Sequence, residues 1–311
     1  MDPIILFFIF GVLAGCTKSE LRLPNQVYDF ISMLLLITIG LKGGIELAKQ
    51  PFLPLLPQIL SITFVGFILP LLIYPVLSKI GQFNRADSAS IAAHYGSVSV
   101  GTFAVGVAYL NSQSIDFEQH MALFVVMLEI PAILIGILLA RGIAGSTNWS
   151  HVFHEVFLGK GVLLLIGGLL IGWISGPEKL ESITPLFFDL FKGVLALFLL
   201  EMGLIASNQL GSLKDRGVFL VIFGIVVPVL FAVIGVVLGA ILGFSIGGTT
   251  IIATLFASAS YIAVPAAMRI SVPEANPTLS LTASLGITFP FNILVGIPLY
   301  YRISEFIQPI I

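Results

Sequence analysis

Apolar residues run through this chain in stretches close to 20 residues long, parted by short polar turns. A helix of about 20 residues crosses the roughly 30 Å hydrocarbon layer of a bilayer. Inside that layer every backbone polar group must find its partner within the protein. The expected fold is therefore an all-α polytopic membrane protein, with ten transmembrane helices at 3–16, 26–47, 52–78, 88–111, 120–141, 160–175, 185–207, 217–244, 247–269 and 277–301. Only 10% of the 311 residues are charged, against about 25% in soluble domains. A net charge of −2 offers no basic surface for nucleic acid. The single Cys16 rules out an internal disulfide and any Cys-rich metal site. The first run follows Met1-Asp2-Pro3 without a positive leader, so it is expected to be a short membrane helix rather than a signal peptide.

Two of these spans are interrupted. In the fourth, Gly96-Ser97-Val98-Ser99-Val100-Gly101-Thr102 places small and hydroxylated residues where a lipid-facing helix would carry Leu and Ile. Such residues serve either close helix packing or a helix break that lines a cavity. The ninth span echoes it with Ala257-Ser258-Ala259-Ser260-Tyr261. At an offset of 161, Ser97 meets Ser258 and Ser99 meets Ser260. With small slips, Gly11 and Gly15 match Gly168 and Gly172. Ile39-Gly40-Leu41 matches Met202-Gly203-Leu204, and Glu129-Ile130-Pro131 matches Thr288-Phe289-Pro290. The chain thus resolves into two copies, 1–150 and 151–311, of five spans each. An odd number of spans forces tandem copies into opposite orientations, and paired interrupted segments in such inverted repeats point to a transporter binding site.

Loop charges set the orientation. Lys18, Arg22, Lys79, Arg85, Arg141, Lys160, Lys214, Arg216 and Arg269 fall on one side; Lys42, Lys49, Lys179, Lys192 and Arg302 fall on the other. The richer side is expected in the cytoplasm, with both termini outside. The join at 142–159 is expected to be a short cytoplasmic loop or interfacial helix. Its His151, His154 and Glu155 lack the His-Glu-x-x-His spacing of a catalytic zinc helix. No nucleophile triad, phosphate loop or dinucleotide fingerprint is present, so an enzyme is not expected.

The candidate substrate site comprises Gly96, Ser97, Ser99, Gly101, Thr102, Ser258, Ala259, Ser260 and Tyr261. Two half-helix N-termini aimed at one midplane point would hold a small anion through backbone N–H groups. Ser99, Thr102, Glu129 and Ser260 are the candidates for ion coupling. Intramembrane carboxylates such as Glu129 are either functional or partners of freed backbone groups. Glu201 lies outside the broken segments and is expected at a subunit contact or as a structural partner. His94 is expected to be a hydrogen-bonded core histidine, Asn292 a cross-helix donor and Arg269 a snorkelling residue.

These residues resemble the sodium-dependent bicarbonate transporters first described in cyanobacteria. The likeness is carried by Ile39-Gly40-Leu41-Lys42-Gly43-Gly44, Val98-Ser99-Val100-Gly101-Thr102, Glu129-Ile130-Pro131-Ala132, Pro265-Ala266-Ala267-Met268-Arg269 and Val272-Pro273-Glu274-Ala275-Asn276-Pro277. The resemblance implies an elevator-type carrier in a cell (inner) membrane, usually a homotrimer. The first two helices of each repeat would form a gate and the last three a core. It implies Na⁺-coupled uptake of bicarbonate, with no cofactor beyond Na⁺ as coupling ion. Members of that family carry Ser-Gly-Ser-Thr where this chain has Ser99-Val100-Gly101-Thr102, and Ser-Ser-Ser-Asp where it has Ser258-Ala259-Ser260-Tyr261. Without that Asp, weak or altered sodium dependence is expected. Glu129 stands as a conservative change from Asp. The family's long middle insert, which goes with a PII-like regulatory protein, is short here, so that partner stays open. A carrier of another small anion or carboxylate, proton-coupled through Glu129 or His94, is the alternative reading; an anion channel is a further one.

Overall fold

The computed structural model describes residues 3–49, 52–142, 154, 157–210 and 217–311, and among them it is helical without strands. The helices are α1 (Pro3–Cys16), α2 (Asn25–Ala48), α3 (Leu56–Pro75), α4 (Arg85–Gly96), α5 (Val100–Ser112), α6 (Ala122–Arg141), α7 (Lys160–Lys179), α8 (Phe191–Leu210), α9 (Gly217–Ile241), α10 (Ile246–Phe256), α11 (Ala263–Ser271) and the composite α12 (Pro277–Ile310). Eight helical spans among the described residues are long and apolar enough to cross a membrane, with α4 and α5 forming one of them. Two further apolar helices, α1 and α10, are shorter. The expected join helix with His151, His154 and Glu155 lies almost wholly outside the described residues. Among those described, no cluster of His, Cys, Asp and Glu could hold a metal ion.

Helix ends follow the local sequence. Asn84 caps α4, its Oδ1 accepting from Asp87 N at 2.8 Å. Ser245, 161 residues later, caps α10 in the same way, its Oγ accepting from Gly248 N at 3.1 Å. The sixth expected span ends at residue 175, yet helical hydrogen bonding continues to Lys179. It does so across Gly176, whose φ of 66° is open to glycine, and Pro177 restarts the turn. Pro70 sits inside α3, and past Pro75 the chain continues as a π-turn, Val76–Ile80.

Packing sorts the helices into two sets. α1 lies along α8, and α2 lies along α7. Both contacts are made backbone to backbone through glycine. A Cβ on Gly44 would stand 2.1 Å from the Leu169 carbonyl oxygen, and one on Gly172 would stand 2.4 Å from that of Leu41. Gly11 and Gly203 face each other likewise. Without a hydrophobic drive between helices in lipid, such close approach is what holds them together. The matched glycines of the two halves swap partners, for Gly11 meets Gly203 where Gly168 meets Gly40. In the second set, α3, α4 and α6 pack mutually, as do α9, α10 and α12. The two triplets meet through α5 on α10, α11 on α6 and α12 on α4. In the apolar 18-residue stretch of Arg85–Ser112, 94% of the residues are buried, whereas the corresponding stretches of Leu53–Ile80 and Lys160–Lys179 are 28% buried. The first interrupted segment is therefore shielded at the centre, and these other two spans turn mostly outward.

Candidate functional site

Both interrupted stretches are true breaks. α4 stops at Gly96, Ser97 and Ser99 are extended, and α5 restarts at Val100. Ser99 caps the restart: its Oγ accepts from Thr102 N at 3.0 Å and from Thr102 Oγ1 at 2.9 Å. In the second break α10 ends at Phe256 and α11 begins at Ala263. Asn292 Nδ2 donates to the Ala257 carbonyl at 2.9 Å, and Tyr300 Oη donates to Asn292 Oδ1 at 2.6 Å. Asn292 is thus the cross-helix donor expected of it, and its partner is a carbonyl at the break.

The breaks also brace each other. Ser99 N donates to Ser258 Oγ at 2.9 Å, while Ser258 Oγ donates to the Leu255 carbonyl at 2.7 Å. Ser260 N donates to the His94 carbonyl at 2.8 Å. Ser260 Oγ donates to Glu129 Oε1 at 3.3 Å, linking α6 to the second break. These contacts exchange hydrogen bonds between segments 161 residues apart, which answers the free backbone groups a break creates.

A small cavity of about 10 Å³ lies between the breaks. Ser99, Glu129, Ser260 and Tyr261 line it with Val98, Val100, Ile262, Ala263, Leu36, Gly161 and Leu165. That volume holds about one water. The first residues of α5 and α11, Val100 and Ala263, both border it. Two helix N-termini, each with N–H groups lacking intrahelical partners and each the positive end of a dipole, therefore converge there. The same cavity offers the Glu129 carboxylate and serine hydroxyl oxygens, which suit a hard cation. The buried His94 Nε2 has no hydrogen-bond partner among the described residues.

The expected site residues divide accordingly. Ser99, Ser260, Tyr261 and Glu129 are brought together at the cavity. Thr102 completes the Ser99 cap, and Ser258 bridges the breaks. Gly96 is there for packing, since a Cβ on it would lie 2.2 Å from Pro70 Cγ of α3. Gly101 faces Tyr261, whose Oη would lie 2.4 Å from an added Cβ. The Tyr261 ring meets Phe289 edge to face at 5.3 Å. Ala259 is buried. Outside the cavity, His94 Nδ1 lies 2.7 Å from the Ser90 carbonyl, and Glu201 Oε2 accepts from Leu23 N at 3.1 Å. Arg269 is exposed.

Sequence reading missed the contribution of α2. Leu36 borders the break cavity and also a vestibule of about 310 Å³ lined by Tyr28, Asp29, Ser32, Lys160 and Tyr261. Ile39, Lys42 and Glu46 line another, of about 270 Å³, with Phe103 and Val107 of α5. Positions 29, 32, 36, 39, 42 and 46 recur every three or four residues, so one face of α2 borders all three spaces in series. That spacing was visible in the sequence, but apolar residues hide it among packing positions.

Comparison with curated proteins gives no match. The model of the Na⁺-dependent bicarbonate transporter superfamily matches residues 3–305, nearly the whole chain, and the protein belongs to that superfamily.

Proposed function

We propose that the protein is a secondary active transporter that takes up bicarbonate together with Na⁺ by alternating access. One observation carries this reading: two half-helix N-termini and four polar side chains converge on a cavity, and one face of α2 borders both this cavity and two larger spaces. The anion would sit on the N–H groups of α5 and α11, beside the Ser99 and Ser260 hydroxyls. Na⁺ would take oxygens from Glu129 and the serines. Room for one water is too little for bicarbonate, so binding requires Tyr261 to move off Gly101 and widen the cavity.

The proposed architecture is two inverted five-helix repeats, 1–150 and 151–311. α1, α2, α7 and α8 would form the gate and the remaining helices the core. The glycine contacts that swap partners between the halves support this division. The protein would work as a homotrimer in a cell (inner) membrane with both termini outside. The test is uptake of labelled bicarbonate into proteoliposomes with and without an inward Na⁺ gradient. Uptake that needs the gradient supports the proposal, and no bicarbonate uptake under either condition overturns it.

A second reading draws on Tyr261, which brings no charge to the cavity and leaves Glu129 as its one carboxylate among the described residues. In that reading the carrier moves another small anion or carboxylate, coupled to a proton on Glu129. A pH gradient replacing the Na⁺ gradient in the same vesicles separates the two.

A further inference from the structure

Lys42 is a lysine within the span Asn25–Ala48 that the break cavity does not use. By the repeat alignment that pairs Leu41 with Leu204, its counterpart is Ile205, a partly buried core residue. The fold therefore accepts an aliphatic side chain at this register, and the charge is not required for helix packing. Its Nζ lies 4.1 Å from the centre of the Phe191 ring and 5.8 Å from that of Phe188, a cation–π seat. No carboxylate pairs with it among the described residues. The one acid lining this space among the described residues, Glu46, is bonded to Lys49 at 2.6 Å. The surrounding space of about 270 Å³ also presents the amides of Asn111 and Gln119. It begins one helical turn from the break cavity on two helices at once, at Ile39 after Leu36 and at Phe103 after Val100.

We propose that this vestibule between α2, α5 and α8 is a second anion site, in which Lys42 receives a small oxyanion such as bicarbonate before it reaches the breaks. The inference rests on the anion-carrier reading and adds a waiting position to it. An unpaired ammonium in a partly enclosed, low-dielectric space raises the local concentration of anions.

The experiment measures local potential without relying on transport. In full-length protein with Cys16→Ser, Val107→Cys places one thiol on the vestibule wall. Its reaction rates are compared for an anionic sulfonatoethyl and a cationic trimethylammonium-ethyl methanethiosulfonate. Lys42 should favour the anionic reagent, and Lys42→Met should lower the anionic-to-cationic rate ratio at least about tenfold, since the two reagents shift in opposite directions. Lys42→Arg should keep the ratio, and bicarbonate should slow the anionic reagent only while the cation is present. A ratio unmoved by Lys42→Met overturns the proposal, as does a shifted ratio without protection by bicarbonate, chloride or nitrate. Protection by nitrate but not bicarbonate keeps the oxyanion site and removes bicarbonate as its occupant, and protection by chloride alone overturns the oxyanion assignment.

Discussion

Asn292 offers the sharpest test of how the second break is held. Its amide nitrogen serves the Ala257 carbonyl and its oxygen receives the Tyr300 hydroxyl. All of these groups lie in buried surroundings, with Asn292 and Tyr300 at 0% exposure. Asn292→Ala removes both bonds at once. Hydrogen bonds between membrane helices average about 0.6 kcal/mol, so two give a floor near 1 kcal/mol. A carbonyl at a break has no helical partner to fall back on, and stranding a buried polar group adds about 1–3 kcal/mol. The expected loss is about 2–4 kcal/mol. Tyr300→Phe removes one donor and should cost about 1 kcal/mol, and the double variant should fall short of the sum by a similar amount. Gly296→Ala tests the same place from the other side. Its Cβ would stand 2.7 Å from Asn292 Oδ1 and 2.8 Å from Tyr300 Oη, so that hydrogen bond would have to shift. Denaturant unfolding in mixed micelles, or steric trapping, reads the stability. An Asn292→Ala protein within about 0.5 kcal/mol of the parent, less than one average bond, would refute the bracing argument.

Ser99→Ala and Ser260→Ala should each weaken substrate binding by about 1–3 kcal/mol if the hydroxyl meets a buried charged ligand; unchanged affinity in both removes the break cavity as the site. Gly101→Ala should cost about 1–3 kcal/mol of stability and alter uptake, because the added methyl would overlap the buried Tyr261 hydroxyl and Phe198 beside the N-terminus of α5; parent stability together with the parent uptake rate contradicts this. Tyr261→Asp should strengthen Na⁺ dependence in vesicle uptake by adding a carboxylate beside Ser260 and Glu129. Full Na⁺ coupling in the parent, unchanged by Tyr261→Asp, moves the sodium site elsewhere. A cysteine at residue 150 should resist impermeant labelling from outside intact cells; rapid labelling reverses the expected orientation.

The breaks and eight membrane-length spans were legible because they depend on local composition. A run such as 97–102 cannot stay a lipid-facing helix, and its echo at 257–261 repeats the exception. The glycine pairs were legible as positions but not as partners: nothing local says that Gly40 meets Gly168 rather than its own match, Gly203. The hydroxyls were hardest to assign. Ser99, Thr102, Ser258 and Ser260 look alike in sequence, yet one caps a helix, one completes the cap, one bridges the breaks and one reaches Glu129. A short hydroxyl takes whichever acceptor the tertiary fold brings within 3 Å, and that choice is made by residues far along the chain. The helical turn at Gly176 was missed because a positive φ ending one helix and a proline opening the next look like a loop.

The contact of α2 with α7 has a mechanical consequence. With no side-chain layer between them, the two backbones at Gly40, Gly44, Gly168 and Gly172 lock ridge into notch. Sliding by one turn, about 5.4 Å, would bring Leu36 onto Gly168 or Leu164 onto Gly40, a leucine where a glycine now leaves the notch open. The pair therefore behaves as a stiff rail. Any stroke that carries a bound ion across the bilayer would instead shear along the far side of α2, where Ile39 and Lys42 border open space and leave clearance for a moving load.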